Sequence, residues 1–283
     1  MAGVNSSSYG FSEFDTRRPS KQEGNPEKGK NKDKSSILIQ SAIHNAKGYK
    51  QAVLVVSSFG KSNAQSSAYV DYMTQENNTP LFDKDGAKID HEQGLDNIKS
   101  WVEDTKKRKG TNRYTLHLIL QSEPSANEEK AKNGMEDFLK KEFRKNDYMY
   151  VLHTDKESPH VHATIKMQGE DKKKIQATKS DLRRWRDSYA KSMREHGFFY
   201  TATSRASRGK VGKALSPSSK IKFGFYNKQV LESTERKHDQ ENINKWKGAY
   251  KKIGDKLSKS NSKELKDTGT LINDYSNQIE FEK

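Results

Sequence analysis

The chain contains no cysteine, which excludes disulfide bonds and thiolate metal ligands. Hydrophobic residues are also scarce, at 30% of 283 residues, whereas charged residues reach 32%. This balance predicts that part of the chain lies outside any core. No apolar run approaches the roughly 20 residues that a membrane span needs, and the N-terminus lacks the hydrophobic region of a signal peptide. These absences predict a cytoplasmic protein without a membrane span.

Positive charge is what the chain has in excess. Its formal net charge is +15 at pH 7, and its pI is about 9.6. A charge of this size predicts a polyanionic partner, with nucleic acid before an anionic membrane surface.

The composition divides the chain into three parts. Residues 1–35 are rich in Ser, Gly, Lys and Glu and predict a disordered basic tail. Residues 36–212 contain the regular hydrophobic patterns of one folded domain, and residues 213–283 form a charged extension with one amphipathic helix around Trp246 and Tyr250. We predict strands at 51–59, 113–121, 148–155 and 160–167, helices at 61–74, 95–108 and 179–196, and a turn-rich loop at 80–86. The fold class is therefore α+β, with a central, mostly antiparallel sheet and helices packed on it.

The most informative segment contains three histidines within ten residues, His153, His160 and His162. Alternation along the second strand turns His160 and His162 to the same face. If the two strands pair as a hairpin, His153 joins them from the neighbouring strand. Three converging neutral imidazoles predict a metal site with open coordination positions, as in catalytic rather than structural sites.

Two further features leave alternatives open. Asp155 either accepts a hydrogen bond from a ligand imidazole or a proton from a nucleophile, or it only begins the turn after the strand. Tyr69 and Tyr72 share one face of a predicted helix because they are three residues apart. They are either core residues or candidates for a nucleophile.

Four blocks in this order resemble the conjugative relaxases, the mobilisation nucleases of the HUH endonuclease superfamily, and among them the P-type mobilisation group. The likeness extends over about residues 50 to 210. The blocks are the strand and helix that lead to Tyr72, the strand that ends in Ser122-Glu-Pro124, the His-x-Asp-x-x-x-Pro-His-x-His pattern at 153–162, and the Arg-rich stretch at 181–209.

The resemblance implies a nuclease that nicks one strand of plasmid or mobile-element DNA at an origin of transfer. Tyr72 is the implied nucleophile, which keeps the DNA 5′ end as a phosphotyrosyl ester and later allows rejoining. The three histidines are the implied ligands of Mg or Mn, although imidazole also suits other transition metals.

The resemblance and the basic composition also suggest DNA contacts. Ser122 either contacts DNA or caps the helix that follows, and Trp185 either stacks on a base or lies in the core. The candidates for contacts with the DNA backbone are Arg183, Arg186, Arg205, Arg208 and Lys210.

The partners implied are single-stranded or hairpin DNA at an origin of transfer, relaxosome accessory proteins and the coupling protein of a type IV secretion system. The resemblance also implies that the protein enters the recipient cell attached to DNA. Three alternatives stay open: a rolling-circle replication initiator of the same superfamily, a metal-dependent phosphodiester hydrolase without a covalent intermediate, and a non-enzymatic DNA-binding accessory protein.

Overall fold

The computed structural model describes residues 32–74, 79–106, 113–155, 157–209 and 228–279. Within these ranges, no helix has both the length and the apolar character needed to cross a membrane. The predicted N-terminal tail lies outside the described residues up to residue 31, and the first helix begins at Lys32, inside the predicted tail.

The described strands are β1 (Lys50–Gln51), β2 (Val53–Gly60), β3 (Leu81–Asp83), β4 (Lys88–Ile89), β5 (Thr115–Gln121), β6 (Tyr148–His153), β7 (His160–Lys166) and β8 (Tyr200–Thr201). Six of them form one antiparallel sheet in the order β2-β5-β7-β6-β3-β4, and β1 pairs with β8 in a separate parallel pair. The predicted α+β class and the mostly antiparallel sheet are confirmed. Strand β7 lies between β5 and β6, and nearly all of its side chains are buried.

The described helices are α1 (Lys32–Ala46), α2 (Asn63–Thr74), α3 (His91–Lys106), α4 (Glu128–Glu142), α5 (Lys179–Glu195), α6 (Lys228–Ser258) and α7 (Lys263–Gln278). Helices α4 and α5 cover one face of the sheet and enclose the larger core, which includes Phe138, Trp185 and Tyr189. Helices α2 and α3 cover part of the other face, where Met73, Trp101 and Val151 form a second cluster. Trp185 is only 2% exposed, so its predicted burial in the core is confirmed.

A third apolar cluster joins α1 to the C-terminal helices. Ala42 of α1 packs with Ile243 and Tyr250 of α6 and with Ile272 of α7. The helix predicted around Trp246 and Tyr250 is confirmed as α6, and the structure adds a second helix, α7, after it. Gly269 lets them cross closely, since a Cβ atom there would lie 2.4 Å from the backbone nitrogen of Ser258.

The predicted loop at 80–86 is wrong in part. Leu81–Asp83 form strand β3, which pairs with β6 on one side and with the edge strand β4 on the other. Turn residues follow it directly, and Asp83 accepts hydrogen bonds from the backbone nitrogens of Asp85 and Ala87 at 3.0 and 2.8 Å. A strand of three residues is too short to show a periodic pattern, whereas the turn chemistry beside it is conspicuous.

Asn45 connects the helical bundle to the sheet domain, and its replacement by Ala should destabilise both. Its buried amide donates to Tyr250 Oη at 3.0 Å and to the Ser207 carbonyl at 3.2 Å, and it accepts from Thr203 Oγ1 at 2.7 Å. Removing it leaves buried groups unpaired, so we expect a loss of about 1–3 kcal/mol in the free energy of unfolding, measured by urea denaturation.

The control for this prediction is Asn244→Ala, which removes an exposed amide on α6. A similar loss in both variants, or none in Asn45→Ala, would show that the buried network does not hold the bundle in place.

Candidate functional site

The three histidines form one cluster on the sheet. His153 pairs directly with His160 across the hairpin, and Val151 pairs with His162, so all three side chains lie on the face that α2 partly covers. They are 5%, 7% and 3% exposed. One ring nitrogen from each lies within 4.8 Å of the others. Among the described residues, these three histidines form the cluster of potential ligand side chains that could hold one metal ion. The predicted hairpin is confirmed, and the donor set fits a divalent cation.

Backbone carbonyls orient two of the rings. His153 Nε2 lies 2.6 Å from the Met73 carbonyl, and His160 Nδ1 lies 3.2 Å from the Ser158 carbonyl. Since a carbonyl only accepts hydrogen bonds, both nitrogens must be protonated, which leaves His153 Nδ1 and His160 Nε2 with lone pairs for a metal. Met73 lies in the last turn of α2, where carbonyls lack helical partners.

A chain of hydroxyl groups orients the third ring. His162 Nδ1 lies 3.3 Å from Tyr69 Oη, which lies 3.3 Å from Ser57 Oγ. Ser57 Oγ donates in turn to the His117 carbonyl at 3.3 Å. Because the His117 carbonyl can only accept, Ser57 Oγ donates its proton to that carbonyl and accepts from Tyr69 Oη. Tyr69 Oη in turn accepts from His162 Nδ1. His162 Nε2 is then the nitrogen that remains for a metal.

His117 supports the site without belonging to the triad. Its ring stacks on Tyr69 with centroids 3.8 Å apart and planes 6° apart. Ser58 Oγ and Thr115 Oγ1 occupy its two nitrogens at 2.7 and 2.8 Å. Burial lowers the pKa of His117 to about 3, so the imidazole stays neutral. Its role is to hold the ring of Tyr69.

Tyr72 lies beside the triad and is exposed to solvent. Its side chain is 49% exposed, whereas that of Tyr69 is only partly exposed. The ring of Tyr72 meets His162 edge to face, with centroids 5.3 Å apart, and lies 5.8 Å from the ring of Tyr69. Of the two tyrosines, Tyr72 is therefore the one accessible to a large substrate.

Asp155 is not among the groups that form the described hydrogen bonds to the triad. The Asp155 side chain is exposed in the turn after β6, and the hydrogen bonds that orient the triad come from Met73, Ser158 and Tyr69.

The predicted cap at Ser122 is wrong, because Asn127 caps α4. Ser122 is buried, and its backbone nitrogen and its hydroxyl both donate to the Pro159 carbonyl at 2.9 Å. This burial also argues against contact with DNA.

Four of the five predicted basic residues lie within the described ranges. Arg183 and Arg186 are exposed on α5, which packs on the opposite face of the sheet. Arg205 is exposed and Arg208 half-buried, in the segment that contacts α6. Lys210 lies outside the described residues.

Sequence reasoning did not identify Ser57, His117 or the Met73 carbonyl. Ser57 and His117 lie on the neighbouring strands β2 and β5, and only the pairing of those strands brings them to Tyr69. The alternation of His117 with the buried Leu116 and Leu118 was the one available signal, since it places the imidazole on the face away from the larger core.

Comparison with known proteins finds a family match over part of the chain. Residues 72–198 match the family model described as the nuclease domain of MobA/VirD2-like relaxases. Among solved structures, the chain is similar to one from work on the molecular basis of vancomycin resistance transfer in Staphylococcus aureus, with 15% identity and a TM-score of 0.40. That likeness covers 54% of this chain and 99% of the other. No curated protein matches the chain.

The hydroxyl chain predicts that Tyr69→Phe weakens metal binding. Without the phenol oxygen, His162 Nδ1 loses its acceptor, and loss of such an outer partner typically lowers metal affinity about 10- to 100-fold. Titration calorimetry with Mn²⁺ measures the change.

Tyr148→Phe is the matched control, because it removes a hydrogen bond of the same length, 3.3 Å to the Lys84 carbonyl, at the other end of β6. Equal Mn²⁺ affinity in wild type and Tyr69→Phe would contradict the assigned role of Tyr69.

Proposed function

The chain is a member of the MobA/VirD2-like relaxase family through its nuclease domain, residues 72–198, and on this premise we propose that it nicks one strand of DNA with Tyr72 as the nucleophile. The strand is cut at an origin of transfer during conjugation. The product is a 5′-phosphotyrosyl ester with a free 3′-hydroxyl, and the reverse reaction rejoins the strand.

The observation that carries this proposal is the exposed Tyr72 beside the buried triad. A polymeric phosphodiester must approach the site from solvent, and Tyr72 is the tyrosine with an open approach at 49% exposure. The contact of its ring with His162 keeps the phenol next to the metal-binding groups. This arrangement supports attack by a side chain over attack by free water.

The reaction forms one bond and breaks one bond at phosphorus. Tyr72 Oη attacks the scissile phosphate, and the bond to the 3′ oxygen of the preceding nucleotide breaks. The departing oxygen takes up a proton and becomes the 3′-hydroxyl, while the tyrosyl proton passes to a base. We assign that base to Asp155, whose exposed position after β6 is two residues from His153. The phosphotyrosyl ester retains the bond energy needed for rejoining.

His153, His160 and His162 would hold a divalent metal ion. When bound, such an ion stabilises the negative charge that develops on the non-bridging phosphate oxygens. The three rings are buried, and one ring nitrogen of each lies within 4.8 Å of the others. We propose Mg or Mn as the ion, and three imidazoles also accept other transition metals.

The proposed substrate, partners and cellular location follow from the same family. The substrate is single-stranded or hairpin DNA, and the partners are relaxosome accessory proteins and the coupling protein of a type IV secretion system. The protein acts in the cytoplasm and enters the recipient cell attached to the DNA.

Tyr72→Phe should abolish the covalent adduct. The variant keeps the aromatic contact with His162 but lacks the oxygen that attacks phosphorus. The measurement is a denaturing gel of protein incubated with Mn²⁺ and an oligonucleotide that contains the origin. No adduct with wild type, or an undiminished adduct with Tyr72→Phe, contradicts the covalent mechanism and favours hydrolysis by water.

Two further variants locate the cause of any loss. His160→Ala should prevent cleavage while salt-sensitive DNA binding persists. Tyr69→Phe should still form an adduct when Mn²⁺ is raised to saturation. If Tyr69→Phe forms none even then, the nucleophile is Tyr69 rather than Tyr72.

DNA binding should depend strongly on salt, and Arg205 should contribute to that dependence. With roughly 6 to 10 phosphate contacts, the affinity is expected to fall about 10³- to 10⁵-fold between about 50 and 200 mM salt. Arg205→Ala should reduce the slope of log affinity against log salt by about 1, as measured by fluorescence anisotropy.

Arg184→Ala is the matched control, since this exposed guanidinium already pairs with Glu142 and Asp181. The same slope in wild type and Arg205→Ala would remove Arg205 from the DNA contacts.

A further inference from the structure

An exposed aromatic cluster lies outside the nuclease site. Phe199 is 66% exposed, more than the other large hydrophobic residues on the described surface. Its ring lies 5.4 Å from that of Tyr49, and Tyr49 stacks on His44 with centroids 4.6 Å apart and planes 10° apart. We call His44, Tyr49 and Phe199 the aromatic platform.

The backbone holds the aromatic platform in place. The backbone nitrogen of Tyr49 donates to the His44 carbonyl at 2.9 Å, and that of Lys50 donates to the Phe199 carbonyl at 2.9 Å. The neighbours Phe198 and Tyr200 are buried in the larger core at 8% and 2% exposure. Alternation therefore turns Phe199 outward, where its ring makes little contribution to the core.

Two cationic side chains, Arg194 and Lys47, lie close to these rings. Burial, together with the charges of Arg194 and Lys47, lowers the pKa of His44 to about 4, so its ring is uncharged at neutral pH. Arg194 also lines an open cavity of about 400 Å³ with Lys191, Gln40 and Glu195. Aromatic rings with adjacent cations are the combination with which proteins bind single-stranded nucleic acid independently of sequence.

Strand register relates the aromatic platform to the triad. His160 pairs with Gln121, and Gln121 pairs with Val53, so Val53 lies two strands or roughly 10 Å from His160 at the same end of the sheet. Val53 is 41% exposed on the face that carries the triad. Tyr49 is four residues earlier, at most about 14 Å further along the chain. A strand that leaves the triad can reach the aromatic platform within a few nucleotides.

We propose that the aromatic platform binds single-stranded DNA outside the nuclease site, with bases stacked on Phe199 and Tyr49 and phosphates near Lys47 and Arg194. This inference builds on the function proposed above, because it adds a second contact for the same strand. Stacking is worth about 5- to 100-fold in affinity for each base.

The test measures binding of a fluorescein-labelled oligo(dT), which has no nick site, by anisotropy on the full chain. Phe199→Ala and Phe199→Leu should both bind about 5- to 100-fold more weakly, since leucine keeps apolar area but offers no ring to stack on. Phe199→Trp should bind at least as well as wild type. The control is Leu265→Ala, which removes an exposed apolar side chain on α7.

Unchanged affinity in Phe199→Ala, or wild-type affinity in Phe199→Leu, would overturn the proposal. An equal loss with a duplex of the same length would also overturn it, since paired bases are not available to stack. The result is independent of the nicking function. If wild type forms no covalent adduct but Phe199→Ala loses oligo(dT) binding, the aromatic platform stands and the nuclease mechanism fails. If wild type forms the adduct and all variants bind oligo(dT) equally, only the proposed role of the aromatic platform is wrong.

Discussion

The register of the β6–β7 hairpin is the constraint on which the site depends. His153 lies opposite His160, and His162 lies two residues further along β7 on the same face. A slip of one residue would turn the imidazoles toward α4 and α5, into the apolar core. The opposite side of β7 carries Val161, Ala163 and Ile165, which that core buries completely. The apolar layer therefore fixes which face of β7 carries the metal-binding groups.

Ser122 strengthens this register from a neighbouring strand. Its nitrogen and its hydroxyl converge on the carbonyl of Pro159, the residue immediately before His160. At the other end of the hairpin, Asn146 donates to the Lys166 carbonyl at 2.9 Å. The position of His160 is thus fixed by contacts at both ends of the strand. Ser122, the first residue of the Ser-x-Pro block, therefore supports the site by holding the backbone immediately before His160.

The sequence predicted those parts of the site that depend on local spacing. The period of two along a strand places His160 with His162, and turn residues between the strands predict the hairpin. The contact of Ser122 with Pro159 spans 37 residues, and that of Tyr69 with His162 spans 93. No local pattern encodes such contacts, because they depend on how strands and helices are ordered in space. For the same reason, the sequence does not tell which face of the sheet carries Arg183 and Arg186 of α5.

Helix α2 connects the proposed nucleophile to the groups that orient the metal ligands. Its Met73 carbonyl fixes His153, its Tyr69 hydroxyl fixes His162, and Tyr72 lies between these two positions in the sequence. Spacing alone cannot rank the two tyrosines, since they share a helical face. Burial ranks them, because stacking on His117 encloses Tyr69 while Tyr72 stays exposed. Any displacement of α2 therefore moves Tyr72 and disturbs the hydrogen bonds to His153 and His162 together. Because one helix carries Met73, Tyr69 and Tyr72, the proposed nucleophile keeps a fixed position relative to the three histidines, and such positioning is what the proposed attack on phosphorus requires.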